Sequence, residues 1–96
     1  MLRVFKYGVS VNDHPTVTLP KGFKILSVGV QEEENSSFPW IIRLWVLVDP
    51  KAISQEVVRL CIAGTGDPVS DNVSEFLGTV MFHGLVFHVF REAPYA

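Results

Sequence analysis

The sequence predicts an all-β fold, namely a single small antiparallel sandwich or partly open barrel of about seven strands. Three observations predict it. Apolar residues recur at every second position in most segments, which is the period of a half-buried strand. Turn-forming residues separate these segments at short intervals. The 3.6-residue period of an amphipathic helix is nearly absent, so we expect at most a short helical turn.

The first two predicted strands are short and alternating, and they cover Arg3–Val11 and Thr16–Leu19. Phe5, Tyr7 and Val9 share one face of the first strand, because successive side chains point to opposite sides. The chain turns between the two strands at the sequence Asn-Asp-His-Pro. Asn and Asp side chains bond to nearby backbone there, and proline fixes φ.

The third predicted strand runs from Lys24 to Val30. Its inward-facing residues are predicted to be Leu26, Val28 and Val30. Gly29 indicates either a bulge or the close approach of another group. The acidic run from Gln31 to Asn35 then predicts a solvated loop.

The fourth predicted strand, Trp40–Val48, is apolar on both faces. Such a strand is typically central and covered on both sides, either by another layer of the fold or by a partner chain. Asp49 and Pro50 end it. Asp49 is also a good N-cap with proline at the first helical position, so we expect one or two helical turns as far as Ser54.

The last three predicted strands are Val57–Ala63, Phe76–Phe82 and Leu85–Phe90. Val58, Leu60 and Ile62 share one face of the fifth strand. The dipeptide His83-Gly84 is predicted to be a two-residue hairpin turn between the sixth and seventh. Residues 91–96 are predicted to form a polar tail.

Length and composition indicate one domain, residues 1–96, since the chain has 96 residues and is 48% hydrophobic. A domain this small buries a modest core, which favours assembly into a homo-oligomer. The net charge is −2 and the pI is about 5.8. Without a concentrated basic patch, we expect no nonspecific nucleic-acid binding.

Cys61 is the single cysteine, which excludes an intramolecular disulfide and favours a reducing compartment. The N-terminus lacks the pattern of a signal peptide. Apolar runs fall short of the roughly 20 residues that span a bilayer. These features predict a cytoplasmic protein without a membrane partner.

Six short motifs resemble a family of small phage- and prophage-borne proteins whose domain has no assigned function. The motifs keep their order over most of the chain: Leu19-Pro-x-Gly22, Lys24-Ile-Leu-Ser-Val28, Trp45-Val-Leu-Val-Asp-Pro50, Gly64-Thr-Gly66-x-Pro68, Leu77-Gly-Thr-Val80 and Phe87-His-Val-Phe90. The acidic segment 32–38 is longer than the connection usual in that family. The resemblance implies a fold and a phage or prophage setting, and it brings no catalytic residues with it.

The loop Gly64-Thr65-Gly66-Asp67 is the segment that first suggests ligand chemistry. A phosphate-binding loop needs a lysine after its glycines and a helix behind it, and this loop has neither. We interpret it as a strand-ending turn with positive φ at a glycine. Binding of an anion by its backbone amides stays open as an alternative.

A second candidate site joins two predicted strands. Arg43 and Trp45 share one face of the fourth strand, and Arg59 lies on the fifth. If these two strands pair, two guanidiniums and an indole gather on one surface. Such a group suits a nucleotide, because arginine binds phosphate through two hydrogen bonds and both groups stack on bases. The alternative is a cation–π pair or a subunit contact.

The remaining reactive side chains predict no catalytic centre. His14, His83 and His88 lack metal-ligand spacing, and Cys61 lies in an apolar strand that blunts a thiol. We therefore expect no enzyme activity, no cofactor and no metal. A nucleotide hydrolase using Asp67 and His88 is the catalytic alternative.

The hypothesis that follows is a non-catalytic counter-defence protein of phage or prophage type. It would sequester a nucleotide-type immune signal as a homo-oligomer, through Arg43, Trp45, Arg59 and the Gly64–Asp67 loop. The alternative is a protein–protein inhibitor of a host defence enzyme, or a structural accessory protein.

Overall fold

A computed structural model describes residues 1–12, 14–31, 41–82 and 84–94, and it confirms the all-β prediction. Seven strands, all paired antiparallel, account for most of that part of the chain, which contains no helix. The strands are β1 (Arg3–Ser10), β2 (Thr16–Pro20), β3 (Lys24–Gly29), β4 (Ile41–Val48), β5 (Gln55–Gly64), β6 (Val73–Phe82) and β7 (Leu85–Glu92).

The strands form two sheets that do not close into a barrel. The three-stranded sheet has the order β1-β4-β3, and the four-stranded sheet has the order β2-β5-β7-β6. The chain changes sheet between β1 and β2, between β2 and β3, and between β4 and β5. As a result β4 and β5, which are consecutive in sequence, lie in different sheets.

The core lies between the two sheets, because each sheet turns one apolar face to the other. Ile42, Leu44 and Val46 of the three-stranded sheet are fully buried there. They belong to one apolar cluster with residues of the four-stranded sheet, among them Leu60 and Val89. The side chains on the opposite side of each sheet form the two outer faces of the protein.

The β4 strand is the central strand of its sheet, as predicted, but only one of its faces is fully covered. Every second residue from Ile42 to Val48 is buried in the core, whereas the residues between them are half-buried. The outer face of β4 is therefore within reach of solvent or of a ligand.

A bulge in β3 changes the predicted orientation of Leu26. The register against β4 shifts between Ile25 and Ser27, so the side chain of Leu26 is 47% exposed instead of pointing inward. Ile25 packs on the core in its place, together with Val28. A bulge inserts one extra residue, and alternation fails at that point.

The predicted helix after β4 and the predicted polar tail are both wrong. The side chain of Asp49 accepts a hydrogen bond from the backbone N–H of Lys51, at 2.9 Å, but it caps a turn and no helix follows. At the other end of the chain, β7 continues through Arg91 to Glu92, and Glu92 is buried.

Two predicted turns are confirmed. The side chain of Asn12 accepts a hydrogen bond from the backbone N–H of His14, at 3.1 Å. The β6 and β7 strands pair as far as Phe82 and Leu85, which leaves a two-residue connection with Gly84 at φ 75°. Residues 32–35 of the acidic run, Trp40 and His83 lie outside the described residues.

Candidate functional site on the two outer faces

The predicted group of Arg43, Trp45 and Arg59 does not form within one chain. It required β4 to pair with β5, but β4 pairs with β1 and β3, whereas β5 pairs with β2 and β7. Arg43 and Trp45 lie on the outer face of the three-stranded sheet. Arg59 lies on the outer face of the four-stranded sheet, so the core separates it from them.

The Arg43 and Trp45 side chains lie across neighbouring strands at two glycines. A Cβ atom at Gly8 would lie 2.7 Å from Nη1 of Arg43, and one at Gly29 would lie 3.2 Å from Cζ3 of Trp45. Gly8 and Gly29 are the direct partners of Arg43 on β1 and β3. The absence of side chains at these two positions lets the guanidinium and the indole rest close to the sheet surface.

The strands of this sheet carry basic residues and no acidic ones. Their four charged residues are Arg3, Lys6, Lys24 and Arg43. Lys6 is the direct partner of Trp45 on β1, and its ammonium donates a hydrogen bond to the side chain of Gln31. We call the surface formed by Lys6, Gly8, Gly29, Arg43 and Trp45 the Arg–Trp face. It combines positive charge with an aromatic ring.

Arg59 lies beside a buried carboxylate. Its Nε atom lies 3.4 Å from Oε2 of Glu92, which is 5% exposed. Both residues line a cavity of about 470 Å³ beside Arg91 and Glu56, which form an ion pair of their own at 3.1 Å. The positive charge of Arg59 is thus offset by an adjacent negative charge.

The Gly64–Asp67 loop is a turn, as predicted. The backbone N–H of Asp67 donates to the carbonyl of Gly64 at 3.0 Å, and Gly66 has φ 91°. The Asp67 carboxylate folds back so closely that a Cβ at Gly64 would lie 2.8 Å from Oδ2. A carboxylate in this position repels an anion.

Thr65 of the same loop contacts His88. Its hydroxyl lies 2.8 Å from Nε2 of His88, and the hydroxyl of Thr79 lies 3.0 Å from Nδ1. Both ring nitrogens of His88 therefore have a hydrogen-bond partner. This arrangement fits the prediction of a structural histidine.

Three residues distant in sequence meet on the outer face of the four-stranded sheet. A nitrogen of His14, the sulfur of Cys61 and a carboxylate oxygen of Glu92 all lie within 4.8 Å of one another. Nδ1 of His14 is 2.9 Å from Oε1 of Glu92. Cys61 and Glu92 are buried, whereas the side chain of His14 is half exposed. We call these three residues the thiol cluster.

The thiol cluster borders a cavity of about 560 Å³. Residues 67–70, which start at the last residue of the Gly64–Asp67 turn, form one wall of this cavity. His14, Cys61 and Ala63 form another. The carbonyl of Pro15 accepts a hydrogen bond from the backbone N–H of Leu60 at 2.9 Å, which holds the turn of His14 onto β5. Two loops thus cover this part of the outer face and bury Cys61.

No local sequence pattern indicates the thiol cluster, because His14 and Cys61 are 47 positions apart and Cys61 and Glu92 are 31 positions apart. His14 is in a turn. Cys61 is in β5 and Glu92 is in β7, and β6 lies between these two strands in the sequence. Cys61 comes near Glu92 because β5 pairs with β7, where Cys61 lies opposite Phe90, two residues before Glu92. A Cys-to-His spacing motif could not have revealed the cluster.

The fold defines a small two-sheet antiparallel β-sandwich with an open basic face and a covered face. Comparison with known families supports one part of the motif resemblance, namely that the chain contains a domain with no assigned function. A family model described as a domain of unknown function (DUF7352) matches residues 1–96. The chain belongs to that family.

The other comparisons add no relatives, since no curated protein and no solved structure matches the chain significantly. Among the described residues, no helix has the length and apolarity needed to cross a membrane.

Proposed function

We propose that this protein is a non-catalytic binding protein that holds a nucleotide-type ligand on the Arg–Trp face. The observation that carries the proposal is the pair of glycines beneath Arg43 and Trp45. An indole resting close to a sheet surface offers its other ring face to a base, as aromatic platforms of single-stranded nucleic-acid binders do. The adjacent guanidinium suits a phosphate.

Charge supports the same assignment. The protein has a net charge of −2, yet every charged residue in the three strands that form this face is basic. An electropositive surface on an otherwise acidic protein attracts anions locally and avoids general affinity for nucleic acid. The cavity beside the thiol cluster fits an anion less well, because Asp67 forms part of its wall.

The biological role belongs to the proposal as well. The motif resemblance supports a phage or prophage setting, where sequestration of a nucleotide immune signal in the host cytoplasm would counter host defence. Self-assembly is part of this hypothesis for a geometrical reason. Arg43 and Arg59 are on opposite outer faces, so only two subunits of a homo-oligomer could bring both to one ligand.

Titration with cyclic dinucleotides, cyclic trinucleotides and ADP-ribose derivatives tests the proposal. The chain has two tryptophans, so Trp40→Phe leaves Trp45 as the only indole. A stacked base should then quench its fluorescence. Trp45→Ala and Arg43→Ala should each weaken binding about tenfold or more, whereas Trp45→Phe should retain most of it.

Arg59→Ala is the matched control, because it removes an arginine from the other outer face. Unchanged affinity in this variant supports a site within one chain. A loss in all three variants, together with a dimeric mass in native mass spectrometry, supports a site shared between subunits. Absence of quenching and of any thermal shift across the ligand panel contradicts the proposal.

The second candidate function, a protein–protein inhibitor, is favoured by apolar exposure near the start of β1. Leu2 and Val4 are 57% and 53% exposed. Apolar, Trp and Arg side chains together are typical of protein interfaces. Capture of a defined host enzyme that survives both Arg43→Ala and Arg59→Ala, but is lost with Val4→Asp, would support this function instead.

A further inference from the structure

The donor atoms of the thiol cluster match those of a zinc-type site. Structural and catalytic zinc ions take cysteine sulfur, histidine nitrogen and carboxylate oxygen, and three protein ligands leave one position for water or a ligand. The cluster supplies one of each. Sulfur and imidazole ligands disfavour Mg²⁺ and Ca²⁺, which prefer oxygen.

The surroundings of the cluster provide the other parts of such a site. The cavity of about 560 Å³ reaches both His14 and Cys61, so an ion and a fourth ligand have room and an approach. Arg59 contacts Oε2 of Glu92 at 3.4 Å, whereas Oε1 points to His14. One oxygen is thus held by a neighbouring cation while the other is directed into the cluster, as in metal sites whose carboxylate is oriented from behind.

The geometry requires only a small adjustment. Metal–ligand bonds of about 2.0–2.3 Å place ligand atoms roughly 3.3–3.8 Å apart in a tetrahedron. The cluster spans from 2.9 Å, between His14 and Glu92, up to 4.8 Å. His14 lies in a turn and its side chain is half exposed, so the imidazole can move without disturbing the core.

We propose that His14, Cys61 and Glu92 bind a Zn²⁺-class divalent ion, with the fourth coordination position opening into the cavity. The thiol loses its proton on coordination, since thiolate is the ligand form. The proton passes to solvent. Thiolate and carboxylate together balance the charge of the ion, and Arg59 stays paired with the carboxylate.

Co²⁺ titration of the reduced, untagged protein tests the proposal. A thiolate-to-cobalt charge-transfer band should appear at one equivalent and be displaced by Zn²⁺. His14→Ala and Glu92→Gln should weaken Co²⁺ binding about tenfold or more. Glu75→Gln, a matched carboxylate control on exposed β6 surface, should leave it within about twofold.

Protection of the thiol gives a readout that needs no variant of the buried residues. Zn²⁺ should slow alkylation of Cys61 in wild-type protein about tenfold or more, and His14→Ala should abolish that protection while the circular dichroism spectrum stays native. A Co²⁺ spectrum without a thiolate band, or equal Zn²⁺ protection in wild-type protein and His14→Ala, would overturn the proposal and leave an ion pair beside a buried thiol.

Discussion

The two sheets share one core but have very different outer faces. In the three-stranded sheet, the outer face holds Arg43 and Trp45 close above two glycines, and its strands carry no acidic residue. In the four-stranded sheet, two loops cover part of the outer face, where a thiol, a half-exposed imidazole and a carboxylate lie together beside a cavity. We propose an anionic, aromatic ligand for the first face and a soft cation for the second.

The difference shows how a small sandwich can carry two chemically separate sites. Both faces arise from the same alternation, since one residue of each pair enters the core and the next faces outward. The outward residues carry no packing role in the core and are therefore able to carry other chemistry. Four changes test this division, from the largest expected effect on stability to the smallest.

Leu44→Ala should have the largest effect, because Leu44 is fully buried between the sheets. Truncating a buried leucine costs about 2–5 kcal/mol of unfolding free energy. Leu47→Ala is the matched control on the outer face of the same strand, and it should cost less than about half as much. Urea denaturation measures both. Equal losses would contradict the assignment of inner and outer faces.

Gly78→Ala should follow, because Gly78 lies where the sheets approach closely. Its φ is 154°, and a Cβ there would lie 2.6 Å from Cγ2 of Val28 on β3. Backbone strain and overpacking together predict a loss of about 2–4 kcal/mol of unfolding free energy, which urea denaturation measures. The double variant Gly78→Ala with Val28→Ala should recover part of the lost unfolding free energy. If nothing is recovered, backbone strain at residue 78 accounts for the whole loss.

Glu92→Gln should destabilise the covered face by about 1–3 kcal/mol, because it weakens contacts with His14 and Arg59 at a buried position. Glu75→Gln, on an exposed position, should stay within about 0.5 kcal/mol. Thermal denaturation of both variants without added metal checks the difference. Similar melting temperatures of the two variants would show that the contacts of Glu92 contribute no more to stability than those of an exposed surface residue.

Gly8→Ala should change stability least, by less than about 1 kcal/mol, because the nearest group is the flexible end of Arg43 and the other close atom, Cγ2 of Ile41 at 3.0 Å, needs only a small shift. It should nevertheless displace the guanidinium from the Arg–Trp face and weaken nucleotide binding several-fold. Isothermal titration calorimetry beside urea denaturation separates the two effects. A loss of more than about 1 kcal/mol with unchanged affinity would show that Gly8 serves the fold and not the site.

Much of the fold was predictable, because alternation and turn chemistry are local. All seven strands appear close to their predicted positions, and the turns at Asn12 and Gly66 have the predicted character. One error has a local cause and another does not. A bulge exposed Leu26, whereas Glu92, predicted in a polar tail, is a buried strand residue whose ion-pair partners His14 and Arg59 are distant in sequence.

The candidate sites were predictable only in part. That Arg43 and Trp45 share a face follows from a spacing of two in a strand. That Arg59 lies on the other sheet does not follow, since it depends on which strands pair. The roles of Gly8 and Gly29 could not be predicted without knowing the register of β4 against both β1 and β3.

The sequence by itself determined that the chain is all-β, a sandwich or partly open barrel with strands and turns close to these, because hydrophobic period and turn chemistry act over a few residues. Only the tertiary structure decided which side chains meet. Strand order and register join positions such as His14, Cys61 and Glu92 that are far apart along the chain. Such pairings are set by the packing of whole sheets, and no local pattern encodes them.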